Sequence, residues 1–181
     1  MDLPRHQCLI YSGPPSQYLA ALAAAGLDVL EEIADGSLIL NSAQTHLHEG
    51  KFDPDSMIQS LRDSLDEARE DGYAGLWASG DMAWEFGPEK DFSRLVEYEW
   101  RLEELFGERP DLRGVCQYHT GTLPEEYLRQ GLVVHGALFV NETLSRINPH
   151  FLSRELFSRE AADRSPVQDA VGRLLREGMP A

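Results

Sequence analysis

The feature that most limits what this chain can fold into is its alternation. Short apolar runs of strand type take turns with stretches whose apolar residues recur at helical spacing, and turn residues separate them. Residues 8–11 (Cys-Leu-Ile-Tyr) read as a short buried strand, broken by Ser12-Gly13-Pro14-Pro15. Ser16 is placed to cap a helix that runs to about Ala25 and ends at Gly26. A helical turn over Val29–Ala34 stops at Asp35-Gly36, and residues 37–41 form a second strand. Asp53 followed by Pro54 opens the clearest helix, with Met57, Ile58, Leu61, Leu65 and Ala68 on one face and Asp71-Gly72 as its stop. A strand over 73–79 follows. The next helix is introduced by Pro88 and Asp91, carries Phe92, Leu95, Val96, Leu102, Leu105 and Phe106, and ends at Gly107 and Pro110. Residues 114–119 are the fourth strand. Thr122 and Glu125 fit a capping box around Pro124, for a brief helix ending near Gly131. A strand over 132–140, bent at Gly136, is expected next. A last amphipathic helix begins at Ser165-Pro166, with Val167, Ala170, Val171, Leu174 and Leu175 on one face.

Strands alternating with helices predict an α/β fold with a mostly parallel sheet covered by helices on both faces. Right-handed crossovers then bring the strand-to-helix loops to one edge, where ligands of such sheets bind. The 181 residues are enough for one domain with a substantial core, expected over 1–150, followed by a C-terminal tail over 151–181 with its one helix. No apolar run approaches the roughly 18 residues of a membrane span, and the opening has no signal-peptide pattern. The expected location is the cytoplasm, with no membrane contact. Cys8 and Cys116 lie far apart in strand-like stretches and are expected as buried reduced thiols. The net charge is −15, and Lys51 and Lys90 are the only lysines. Direct nucleic-acid binding is therefore not expected.

No GxxxxGK[ST] segment occurs, nor GxGxxG, nor GxSxG. The loop over 12–15, with one glycine and no lysine, cannot wrap its amides around phosphates as a P-loop does. What remains is a set of polar and aromatic residues at the predicted strand ends. His46, His48, Asp81, Trp84, Glu85 and His119 belong to three loops that the parallel sheet places at one edge. His46-x-His48 with His119 or Asp81 could hold a metal, but two histidines so close in a loop are more often surface residues or hydrogen-bonded caps. Glu99 falls on an apolar helix stripe. It is either paired with an arginine such as Arg101 or Arg113, or it lines a pocket and orients a ligand. Trp77 and Trp100 are read as packing residues, whereas Trp84 beside Asp81 suits an apolar small-molecule pocket.

At these residues the sequence resembles the MEDS domain family, the methanogen/methylotroph, dichloromethane-regulator sensory domain. The resembling segments are 46–53 (HLHEGKFD), 71–77 (DGYAGLW), 80–84 (GDMAW), 97–99 (EYE) and 116–118 (CQY), within about 6–150. The resemblance implies a KaiC/RecA-like sheet without the phosphate-binding loop. Gly26-Leu27-Asp28 and Asp35-Gly36-Ser37-Leu38-Ile39-Leu40 are also similar to the KaiC pattern. It further implies a non-catalytic sensory role toward small, hydrocarbon-like molecules, with a histidine kinase or transcription regulator as the controlled partner. Relative to the family, one strand–helix unit near the N-terminus is expected to be missing, and no output domain is expected after the tail. An unpaired sheet edge then makes a homodimer the expectation. The expected ligand-binding residues are His46, His48, Asp81, Trp84, Glu99, Tyr118 and His119, with no catalytic residue, no metal and no named cofactor. Two other classes stay open: a protein-interaction scaffold that has lost its ligand site, and a metal-dependent enzyme built on the His/Asp/Glu edge cluster.

Overall fold

The computed structural model describes residues 5–11, 16–42, 46–88, 91–140, 143–145 and 148–156. The loop over 12–15 and the expected last helix lie outside them. The chain divides into two compact units, residues 1–94 with 104–119, and residues 95–103 with 120–181.

The first unit runs β1 (Gln7–Tyr11), α1 (Ser16–Ala24), α2 (Val29–Ala34), β2 (Leu38–Asn41), β3 (Leu47–His48), β4 (Lys51–Phe52), α3 (Pro54–Glu70), β5 (Leu76–Asp81) and α4 (Met82–Glu85). A 3-10 turn over Phe92–Arg94 leads into α5 (Leu95–Glu108), whose last turn returns to this unit before β6 (Leu112–Gln117). The fold is α/β, and its sheet has four parallel strands in the order β2-β1-β5-β6.

The register sorts the side chains into two faces. Cys8 pairs with Leu38 and Trp77, and Trp77 with Arg113, so these residues share one face, as do Ile10, Leu40, Ser79 and Val115. On that face α1 and α2 bury a small cluster of Ile10, Val29 and Leu38, backed by Tyr18, Leu19 and Leu22. The other face carries Leu9, Tyr11, Leu76, Ala78, Gly80, Leu112 and Gly114 and receives α3 and the end of α5. Gly114 is needed there, because a Cβ would lie 2.4 Å from the Phe106 ring.

Local chemistry explains the elements. Asp53 caps α3 by accepting from the Ser56 amide at 2.9 Å, with Pro54 at the first helical position. Burial works upward on the Asp53 carboxyl, but the Ser56 hydroxyl and amide and the Arg94 guanidinium outweigh it and hold it below its usual range. Met57, Leu61, Leu65 and Ala68 are buried, as the spacing predicts. The loop expected over 44–50 instead leads into the β3–β4 hairpin. Glu49 and Gly50 both have positive φ, 52° and 80°, which is the two-residue turn that matches strand twist. The Cys8 thiol is pushed up by burial and stays protonated.

The second unit contains the first turns of α5, then α6 (Glu125–Val134), β7 (Leu138–Val140) and β8 (Thr143–Ser145), an antiparallel pair. Two expectations fail here. No side chain caps α6, whose N-cap is Pro124, so the Thr122–Glu125 box does not form. The helix also continues through Gly131 to Val134, and the strand expected over 132–140 shrinks to its last three residues. Helical packing wins over β-propensity because Val133 and Val134 bury against Val96, Trp100, Leu132 and Leu152. Buried Asn148 ties the helix end down, donating from Nδ2 to the Leu132 and His135 carbonyls at 2.6 and 2.8 Å.

Candidate functional site

In the first unit the chain leaves β1 toward β2 and returns past it to β5 and then β6. The direction of winding reverses between β1 and β5. In sheets of this kind the crevice outside the carboxyl ends of such strands is the usual ligand position. Those ends are Tyr11, paired with Gly80, and Asp81, paired with Gln117.

His46 lies here, only 3% exposed. Its ring packs against Trp84 (centroids 5.4 Å apart), Phe52 (6.1 Å) and Tyr11 (6.4 Å). Trp84 and Tyr11 face each other at 6.5 Å, and Phe52, Phe86 and Phe92 continue the aromatic cluster beneath. His46 Nε2 is 2.7 Å from the backbone carbonyl of Glu85. A carbonyl only accepts, so Nε2 carries the proton and donates. Burial lowers the pKa of His46, against a smaller upward pull from this hydrogen bond, so the ring is neutral. Nδ1 is therefore a bare lone pair. It is buried and has no hydrogen-bond partner among the described residues. A buried polar atom left this way costs free energy unless something else satisfies it.

Glu85 is also buried, and its side chain turns back onto β5. A Cβ at Gly80 would fall 1.8 Å from Glu85 Oε1, so only glycine leaves room for the carboxylate. Glu85 also contributes to the raised pKa of Tyr11, whose main cause is burial. The Tyr11 hydroxyl meets Ser60 Oγ at 3.3 Å. On the opposite sheet face Tyr18 donates to Gln117 Oε1 at 3.3 Å, and Gln117 Nε2 donates to Ser79 Oγ at 2.5 Å. Asp81 caps α4, its Oδ1 accepting from the Ala83 amide at 2.9 Å.

Of the residues expected from the sequence, the structure brings His46 and Trp84 into contact and sets Asp81 at the start of the same short helix. His48 is exposed on the hairpin, opposite Lys51. Tyr118 is half-buried and His119 exposed, both just past β6. His46 and His48 belong to no cluster of three metal-ligating side chains among the described residues. Glu99 belongs to the second unit. It is fully buried, and its Oε2 lies 3.2 Å from His135 Nε2, while His135 Nδ1 lies 3.4 Å from Glu103 Oε1. Arg101, one of the arginines expected beside Glu99, bonds Glu97 one turn away, and Glu99 itself meets His135. Tyr11, Phe52 and Gly80 were missed by the sequence reading. Only Gly80 carries a signal that could have found it, as a glycine inside a strand.

Comparison with curated proteins finds no match. A family model does match, over residues 4–136, and its description is the methanogen/methylotroph, DcmR sensory domain. That span holds all four parallel strands, the His46 cluster and α6. The chain belongs to the MEDS sensory-domain family.

Proposed function

We propose that this protein is a non-catalytic sensor of a small molecule, bound at the carboxyl ends of β1 and β5 in the first unit. The observation that carries the reading is His46 Nδ1, a desolvated acceptor without a partner among the described residues, held in an aromatic cluster at the reversal point of the sheet. The ligand is a mostly apolar molecule with one hydrogen-bond donor. The aromatic rings supply contact area, and the fixed Nε2–H tautomer makes Nδ1 select for an N–H or O–H group. Membership of a sensory family supports the regulatory role. The partner is a histidine kinase or transcription regulator, met in the cytoplasm. The parallel order β2-β1-β5-β6 supports kinship with KaiC/RecA-type sheets, without the P-loop and with one strand–helix unit fewer. The short sheet supports a homodimer formed through an unpaired edge. Among the described residues, no helix is long and apolar enough to cross a membrane.

The test begins with native mass spectrometry of the full chain as isolated, repeated after denaturation, to detect a co-purified small molecule. Thermal melts against small alcohols, phenols and amines follow, with His46→Phe as the discriminating variant. It keeps an aromatic ring and removes the lone pair. A ligand that raises the melting temperature of the native protein and not of His46→Phe supports the reading. An equal rise in both, or a mass excess that proves to be a metal, sinks it.

A further inference from the structure

The outer surface of α1 and α2 breaks the pattern that the other helices obey. The α1 sequence, Ser-Gln-Tyr-Leu-Ala-Ala-Leu-Ala-Ala, has no charged residue. Helices apolar on all sides are normally covered on all sides. Here Tyr18, Leu19 and Leu22 pack on the sheet, while Ala20 and Ala24 face solvent. The exposed apolar surface continues through Leu27 to Leu30 and Ile33, which stand one turn apart on α2. Leu30 is 79% exposed, the most exposed large apolar side chain among the described residues. The charges on and beside α2 are acidic, with Arg5 as their cationic neighbour. The sequence contains no lysine or arginine between Arg5 and Lys51, whereas Asp28, Glu31, Glu32 and Asp35 all lie on or beside α2. Arg5 bonds Glu32 at 3.1 Å and lies 3.9 Å from Asp35. Asp28 and Glu31 are exposed and have no cationic partner among the described residues.

We infer that the α1–α2 surface docks a partner protein through a basic amphipathic helix, whose apolar stripe covers Leu27, Leu30 and Ile33 and whose flanking Lys or Arg side chains meet Asp28 and Glu31. The charge distribution selects this occupant. A second copy of the chain would bring Asp28 and Glu31 against their own equivalents in a symmetric contact, between molecules that each carry a net charge of −15. A cationic helix removes that repulsion and supplies the missing counter-charge. The inference does not depend on His46 or on the nature of the ligand.

The probe is a pair of synthetic helical peptides of about 18 residues with the same leucine stripe at i, i+3, i+4 and i+7 positions, one flanked by lysine and arginine, the other by glutamate. Binding to the full chain is read by backbone amide shifts and by titration at low and high salt. The expected result is binding of the basic peptide only, shifts concentrated over residues 20–35, affinity that falls with salt, and at least a tenfold loss in Leu30→Asp. Circular dichroism and melting of that variant should match the native protein, since the side chain is already in water. Failure of the basic peptide to bind, equal binding of both peptides, or shifts elsewhere overturns the inference. Sedimentation closes the remaining route: a native dimer that Leu30→Asp splits would assign the surface to a second copy and likewise overturn it.

Discussion

The two faces of the central sheet are covered by helices of opposite design. On one face, α3 spans 17 residues with a side-chain cap, a proline at its start and a sharp division between buried Met57, Leu61 and Leu65 and a charged outer side. On the other, α1 and α2 together bury few side chains, keep Leu30 and Ile33 in water, and leave Trp77 and Val115 of the sheet 46% and 50% exposed. Among the described residues, the first face is the more deeply buried and the second the more exposed. Deep burial and exposure are thus divided between the two faces of a single sheet. The reversal point that holds His46 lies where the crossovers to the two faces diverge.

This comparison can be broken most sharply by matched truncations. Leu65→Ala on α3 should cost about 2–5 kcal/mol in urea unfolding, because a fully buried side chain leaves a cavity. Leu30→Ala should stay within about 0.5 kcal/mol. Comparable losses would mean that the exposed face is structurally essential. A smaller effect, about 1–3 kcal/mol, is expected of Gly80→Ala, where the new methyl must displace the Glu85 carboxylate. If its melting curve is unchanged, the carboxylate is not held on β5. The smallest effect is a pH dependence. Burial gives His46 a folded pKa below its ordinary 6.5, so the unfolded chain binds the proton more readily. The contribution of the neutral ring is complete above pH 6.5 and is lost as pH falls through 6.5 toward the lower folded value. His46→Phe should therefore flatten the fall in stability between pH 7 and 5 relative to the native protein, and an identical fall in both would remove His46 as its source.

The sequence made the deeply buried face legible and the exposed one less so. Asp53-Pro54, the helical spacing of Met57, Leu61 and Leu65, and the stop at Asp71-Gly72 are local signals, and each reappears in the structure. The four strands carried enough apolar residues to be read, although β5 begins at Leu76 rather than Tyr73. Trp84 and His46 were readable as candidates from their positions at strand ends. Their contact, and the burial of His46, were not, because the enclosing rings of Tyr11, Phe52 and Trp84 come from three separate places in the chain. Glu99 shows the same limit from the other side. Its burial followed from the helix stripe, but its partner depended on α6 running on to Val134 and delivering His135, where β-branched residues had argued for a strand.

The exposed face also governs how the protein behaves in bulk. Trp77, Val115 and Leu30 expose apolar surface to neighbouring molecules, and at neutral pH the charge of −15 opposes their nonspecific association. With an isoelectric point near 4.7, that colloidal barrier thins as the solution is acidified. Mildly acidic, salt-rich conditions should therefore turn clear solutions cloudy.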